Sequence, residues 1–203
     1  PCLENPPTFG VFQRAVKIND ETLRVWRRVL EAVPDSQIMF KGGDYTYARR
    51  MRIVQALAGC EARIVFAPPT NQTEHLNYYQ KVDLSLDTWP QTGGISSMES
   101  LSMGVPMVTL ARTGGRMIEY TSASILTCVG LPEFIVTTED AYVELAVRMV
   151  TTDRERLSEI RQTAQAKLYA SPIRVGYTEA VETGYRTLWR EWCARQLSYQ
   201  TIH

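Results

Sequence analysis

The chain is poor in the residues that build metal and redox centres. Only two histidines, His75 and His203, occur in its 203 residues, which argues against a multi-histidine metal site or a catalytic histidine pair. The cysteines Cys2, Cys60, Cys128 and Cys193 lie far apart and form no C-x-x-C pair, so neither a zinc framework nor a disulfide-rich secreted scaffold is expected. Reduced thiols that serve mostly in packing are the expectation. Charge of one sign is lacking too: lysine plus arginine and aspartate plus glutamate each number 22, leaving no overall field to attract nucleic acid. No apolar run approaches the roughly 20 residues that cross a bilayer, and no segment resembles a secretion signal. Internal repeats, low-complexity tracts and the G-K-[ST] of a Walker loop are absent as well. These absences leave a cytoplasmic globular protein with no metal, nucleic acid or membrane among its partners. The chain opens on Pro1 and not on Met, which reads as a piece of a longer protein.

What is present is enough apolar residue, 44%, for one substantial core in a single domain or lobe. Thr8 to Phe12 reads as a strand after Pro6 and Pro7. Asn19 and Asp20 suit the cap of a helix that reaches about Val33, with Leu23, Trp26, Val29, Leu30 and Val33 on one face and Pro34 as the stop. Gln37 to Phe40 makes a second strand, Tyr45 to Leu57 a helix closed by Gly59, and Ala62 to Ala67 a third strand. Thr73 opens a helix that carries His75. Val82 to Leu86 is a fourth strand, followed by a glycine turn, a helix from about Ile95 to Met103 and a strand from Pro106 to Leu110. This alternation specifies an α/β fold, a Rossmann-like parallel sheet with helices on both faces, over about residues 1–130. Beyond Gly130 the pattern reads as helices only, about Glu139 to Val150, Asp153 to Tyr169 and Tyr177 to Leu197, packed on the sheet, with Asp153 as an N-cap.

The most informative segment runs from Val82 to Pro106. Gly93-Gly94-Ile95-Ser96-Ser97 follows the carboxyl end of a strand, where ligands of open α/β sheets sit. A helix N-terminus there offers unpaired N–H groups and about half a unit of positive charge, the glycines admit close backbone approach, and Ser96 and Ser97 add hydroxyls. The turn suits a nucleotide diphosphate, and it suits an ordinary helix cap equally well. Glu99, three residues after Ser96, is either an acceptor for ribose hydroxyls or a solvated glutamate near a helix start. Lys17, with Arg14 beside it, either neutralises a diphosphate from the facing wall or decorates the surface. His75 either stacks on a base or is a partly exposed helix histidine. Trp26 and Trp89 read as core or cleft-wall aromatics without a chemical role.

Taken together in order, F-G-V-F-Q-R-A-V-K-I (Phe9 to Ile18), I-V-F-A-P-P-T-N-Q-T-E-H-L (Ile64 to Leu76), Leu84 to Thr109 and A-S-I-L-T-C-V-G-L-P-E (Ala123 to Glu133) resemble the O-linked N-acetylglucosamine transferase family and its SPINDLY-like relatives. The late S-P-I at Ser171 to Ile173, followed by a helix with Trp189 and Trp192, is similar too, so the likeness covers nearly the whole chain. The resemblance implies the C-terminal, donor-binding lobe of an inverting GT-B glycosyltransferase that needs no cofactor. The donor would be UDP-N-acetylglucosamine or, as in some relatives, GDP-fucose, and the acceptors Ser or Thr hydroxyls of proteins. It further implies that Lys17 binds the diphosphate as the catalytic cation and that Arg14 is a neighbouring donor-site residue. By the same likeness His75 packs on the base beside a loop containing Pro69, Thr70 and Gln72. Gly93, Gly94, Ile95 and Ser96 would form the phosphate turn, with Glu99 as the ribose ligand.

The chain departs from the family pattern in several places. Ile95-Ser96 stands for a usual Thr-Thr pair and removes one hydroxyl. Glu99 stands for Asp and reaches one methylene further, Gln72 stands where Lys is common, and Ala111 to Thr121 lacks the A-S-R pattern. An N-terminal lobe and tetratricopeptide repeats, both typical of the family, are not in this chain, so the lobe alone is expected to lack efficient transfer. Two other readings stay open: an interaction or regulatory module that keeps the fold without the chemistry, and another GT-B-like enzyme such as a sugar-nucleotide epimerase.

Overall fold

A computed structural model of the chain describes residues 6–200, so Cys2 and His203 lie outside the described residues. Strands β1 (Thr8–Val11), β2 (Gln37–Lys41), β3 (Ile64–Ala67), β4 (Leu84–Leu86), β5 (Met107–Leu110) and β6 (Ile135–Val136) form one sheet in the order β3-β2-β1-β4-β5-β6. Every pairing is parallel, with Phe9 of β1 level with Ile38 on one side and Leu84 on the other. Helices cover a parallel sheet on both faces, so β1, β4 and β5 are buried at every position, mostly with apolar residues and with Thr8, Ser85 and Thr109 as buried hydroxyls.

The helices are α1 (Asp20–Ala32), α2 (Tyr47–Ala56), α3 (Gln72–Asn77), α4 (Ile95–Ser102), α5 (Thr121–Cys128), α6 (Glu139–Thr151), α7 (Arg154–Ala170) and α8 (Tyr177–Gln200). Asn19 caps α1 by accepting the Thr22 N–H at 2.8 Å, and Leu23, Trp26, Val29 and Leu30 of its apolar face are fully buried. The Trp26 indole donates to the Tyr142 hydroxyl of α6 at 3.4 Å, which in turn donates to the Asp87 carbonyl at 3.0 Å. The packed pair α1 and α6 is thereby tied to the end of β4. Gly104 ends α4 at φ +77°, where a Cβ would lie 2.5 Å from the Arg161 carbonyl of α7, so only glycine lets the two elements meet.

The structure departs from the sequence expectations where local patterns are weakest. The sheet continues past Gly130 with β6, Ile135 pairing with Thr109, because two residues are too few to display an alternation. Helix α5 had no sequence signal: its buried residues Ser122, Ala123, Ile125 and Leu126 are half polar or small. A 3-10 turn, Glu61–Arg63, replaces the start of the third strand, and β4 begins only at Leu84. Asp153 stands at the N-cap of α7 but makes no capping bond, since its carboxylate accepts from Arg148 Nε at 3.0 Å. Of the three last helices α6 packs on the sheet and α7 on α4 and α6, whereas α8 stands off with Tyr185, Trp189 and Trp192 exposed. Among the described cysteines only Cys60 is buried; Cys128 is exposed and Cys193 partly so, which corrects the packing role expected for them. No helix among the described residues is long and apolar enough to cross a membrane.

Candidate functional site

The chain winds outward in one direction from β1 to β3 and in the other from β4 to β6, so the strand order reverses between β1 and β4. At such a reversal the loops leaving the carboxyl ends of neighbouring strands splay apart and open a crevice. Here the loops after β1, β2 and β4 line a cleft of about 730 Å³.

The floor of the cleft is the turn before α4. Asp87, just beyond β4, is fully buried, and its Oδ1 accepts the N–H groups of Thr88 and Gly93, each at 2.9 Å, and Gln13 Nε2 at 3.0 Å. Its Oδ2 accepts the Thr109 hydroxyl at 2.8 Å. Burial pushes the Asp87 carboxyl above the usual range, while bonds from Ser122, Thr109, Gly93 and Thr88 hold it back. No side chain caps α4, and its first internal bond runs from the Met98 N–H to the Gly94 carbonyl at 3.1 Å. The N–H groups of Ile95, Ser96 and Ser97 therefore precede the ladder, as the first turn of any helix requires. Ser96 lines the cleft, but Ser97 is buried with its hydroxyl 2.8 Å from that of Ser122, so it adds no donor, contrary to expectation.

Lys17 lies in the 3-10 turn after β1, and its ammonium donates to the Thr92 carbonyl at 2.9 Å and to Gln13 Oε1 at 3.3 Å. It thus stands at the foot of the glycine turn and not across an open gap. Burial depresses its pKa, the Asp87 charge opposes that, and Arg14 adds to it. Arg14 is exposed on the same rim. Asp44, on the loop after β2, accepts the Ala15 N–H with both oxygens at 3.0 and 3.1 Å and so fixes the turn that carries Lys17.

At the other end of the cleft the Phe12 ring stacks on Tyr79 with centroids 3.6 Å apart, and His75 meets Phe12 edge-on at 5.6 Å. His75 Nε2 lies 3.5 Å from Glu99 Oε2, and Gln72 Nε2 donates to Glu99 Oε1 at 2.9 Å. Two departures from the family pattern, Gln72 and Glu99, thus touch each other. Pro69, Thr70 and Gln72 do not line the cleft itself, and their loop is held by Lys41, which the sequence did not single out. Lys41, the last residue of β2, is 1% exposed and donates to the Pro68 carbonyl at 2.6 Å and the Thr70 hydroxyl at 2.8 Å, with the Tyr78 ring 4.7 Å away. Burial lowers its pKa against a raising pull from Glu74.

The cleft therefore gathers Lys17, Arg14, His75, Gly93, Gly94, Ile95, Ser96 and Glu99. Sequence reasoning missed Gln13, Lys41, Asp44 and Asp87. One signal was available: Lys41 is the last residue of β2 and Asp87 directly follows β4, and the carboxyl ends of strands in an α/β sheet border the ligand crevice.

Comparison with known proteins bears on the family and the fold. The model of glycosyl transferase family 41 matches residues 4–177. The probable UDP-N-acetylglucosamine–peptide N-acetylglucosaminyltransferase SPINDLY of Arabidopsis thaliana is 36% identical over 201 residues, 95% of this chain and 22% of that protein. Its counterpart in Petunia hybrida is 35% identical over 193 residues, 92% of this chain and 20% of that protein. A solved mutant of Thermobaculum terrenum O-GlcNAc transferase superposes with a TM-score of 0.84 at 30% identity, covering 93% of this chain and 37% of that one. The chain spans about a fifth of the length of these curated relatives. Its sheet and surrounding helices are those of a GT-B C-terminal lobe, and the chain belongs to glycosyl transferase family 41.

Proposed function

We propose that this lobe binds the nucleotide-sugar donor, UDP-N-acetylglucosamine, for a longer protein that transfers the sugar to Ser or Thr hydroxyls of proteins. The observation that carries the reading is the ammonium of Lys17 held 2.9 Å from the Thr92 carbonyl, beside the uncapped start of α4. A cation and a row of free N–H groups converge there on one point, which is what a diphosphate requires. The aromatic and carboxylate end, with Phe12, His75 and Glu99, offers a ring edge for a base and acceptors for ribose hydroxyls. Arg14 on the rim adds a second cation, and the loop of Pro69, Thr70 and Gln72, outside the cleft lining, acts on the base only through the bond from Gln72 to Glu99.

In the transfer step the acceptor oxygen bonds to the anomeric carbon as the bond from that carbon to the β-phosphate oxygen breaks. The electron pair leaves with the diphosphate and the hydroxyl proton leaves with a base. Lys17 and the N–H groups of α4 act on the leaving side, where negative charge grows, so they stabilise the transition state more than the bound donor. The acceptor-binding half is assigned to a preceding lobe, with tetratricopeptide repeats before it, in the longer protein. Calorimetry with UDP and GDP tests the donor site: micromolar binding of either is expected, and no heat with both would overturn the reading.

The ionisation of Lys17 gives the site a pH signature. A bound diphosphate favours the ammonium, so binding takes up a proton above the depressed pKa of the free site, and affinity for UDP is expected to fall as pH rises through it. Folding responds oppositely. Between the depressed value and the ordinary 10.5 the unfolded chain holds more protons at this group, so its contribution to stability rises with pH in that window. Calorimetry and thermal melts carried through the alkaline range up to the ordinary 10.5 should therefore move in opposite directions.

Lys41→Met is expected to weaken UDP binding about tenfold, because the bonds it loses hold the loop at Pro68 and Thr70 and only part of their roughly 1.5–3 kcal/mol each is felt by the ligand. Amide exchange of the 68–75 loop should quicken while the sheet amides keep their protection. Unchanged affinity together with faster exchange would separate the loop from recognition of the base.

A further inference from the structure

The Lys17 ammonium and the glycine turn are not independent features, because one buried carboxylate holds both. Gln13 accepts from Lys17 with its carbonyl oxygen at 3.3 Å and donates with its amide nitrogen to Asp87 at 3.0 Å. The same Asp87 oxygen accepts the Gly93 N–H at 2.9 Å. The bonds to the Asp87 carboxylate oxygens from Gln13, Thr88, Gly93 and Thr109 are all donated to it, and none needs a proton on the carboxyl group. That is the pattern of an ionised carboxylate, which only accepts. Its negative charge is also the influence that raises the Lys17 pKa against burial.

We propose that Asp87 is the positioning residue and internal counter-ion of the diphosphate site: through Gln13 it aims and charges the Lys17 ammonium, and through the Gly93 N–H it sets the turn facing that ammonium. Asp87 has no route to the ligand, since it is 2% exposed behind the turn, so it acts only through these two partners. The proposal rests on the donor-site reading above and adds the source of its preorganisation. A buried anion paired with a cation through an amide keeps the cation charged before the ligand arrives, so little reorganisation remains when it does. The other charged or titratable groups facing this relay are Arg14 beside Lys17, Asp44 on the Ala15 amide, Tyr45 on the Gln13 carbonyl at 2.7 Å and Tyr142 on the Asp87 carbonyl at 3.0 Å. Lys41, His75 and Glu99 stand further along the same cleft. Two amide groups join Lys17 to Asp87 by hydrogen bonds: the Gln13 side chain, and the Thr92–Gly93 peptide, whose carbonyl accepts from Lys17 at 2.9 Å and whose N–H donates to Asp87 at 2.9 Å.

The test is an NMR titration of the Lys17 side chain in the unliganded chain, its signal assigned by Lys17→Arg. In Asp87→Asn the carboxylate charge disappears with the shape kept, and the Lys17 titration is expected to move to lower pH than in the unaltered chain. Gln13→Leu, which spares the buried carboxylate and its three other donors, should lower it as well and provides the answer if Asp87→Asn does not fold. UDP affinity at alkaline pH should fall about tenfold in either variant, recovering partly as pH is lowered. A Lys17 titration unmoved in both variants, whatever their melting temperatures, would overturn the relay. Because that readout needs no nucleotide, it is distinct from a failure of the unaltered chain to bind UDP or GDP, which would end the donor-site reading.

Discussion

On the proposed donor role, Lys17→Met is expected to lower kcat for sugar transfer by the longer protein by about 10²- to 10³-fold, the size of effect seen when one preorganised donor to a developing oxyanion is removed. Methionine keeps the length of the stem and deletes only the charge. What is lost is the cation beside Thr92, at the point where the leaving diphosphate gathers negative charge. Affinity for UDP should weaken less, by about 10- to 100-fold, which corresponds to a charge-assisted bond of roughly 1.5–3 kcal/mol. Folding should be unharmed, because the ammonium is already disfavoured by its burial. Steady-state kinetics on the full-length protein and calorimetry on this lobe measure the two quantities separately. If UDP affinity falls while kcat holds, Lys17 binds the donor without assisting the departure of the leaving group. If neither changes, the electrostatic account of the cleft is wrong.

Gly93→Ala should be nearly as damaging, for a steric reason. A Cβ at Gly93 would lie 2.1 Å from Ser97 Oγ, 2.6 Å from Gln13 Nε2 and 3.0 Å from Ser96 Oγ. Two of these atoms belong to the first turn of α4, and the third carries the bond from Gln13 to Asp87. The added methyl must displace them, costing about 1–3 kcal/mol of stability as overpacking does, and it turns the N–H groups away from the ligand. UDP binding is expected to drop below detection. Gly94→Ala supplies the contrast. Its Cβ would meet only Thr121 Cγ2, at 3.8 Å, an ordinary contact, so folding should be nearly unaffected and any loss of binding should come from the methyl at the cleft wall. Equal losses of stability in the two variants would show that the Gly93 contacts are not what shapes the turn.

The parts of the site legible in the sequence are those built from neighbours along the chain. Gly93, Gly94 and Ser96 announce a helix start because uncapped N–H groups belong to any first helical turn, and a turn directly after an apolar strand must lie at the carboxyl edge of the sheet. Asn19 with the face of Leu23, Trp26, Val29 and Leu30 announces α1 in the same way. The roles weighed for Lys17, His75 and Glu99 had bland alternatives that no local pattern could remove. In the fold all three line one cleft, although Glu99 has His75 and Gln72 as neighbours instead of standing free in solvent. Strand β6 and helix α5 were missed for the opposite reason: each owes its form to what it packs against, and its own residues carry little periodicity.

The sequence by itself determined the α/β alternation, the parallel sheet and the place of the glycine turn, because propensity, helix capping and apolar period act over a few residues. Only the tertiary structure decided that Gln13 and Asp87, 74 residues apart, would join Lys17 to that turn, and that Lys41 would grip Thr70 across 29 residues. It decided too that α8 would stand clear of the sheet. The reason is physical. A buried charge must find partners wherever the folded chain brings them, and the identity of those partners depends on how strands are ordered in the sheet, which no local pattern encodes.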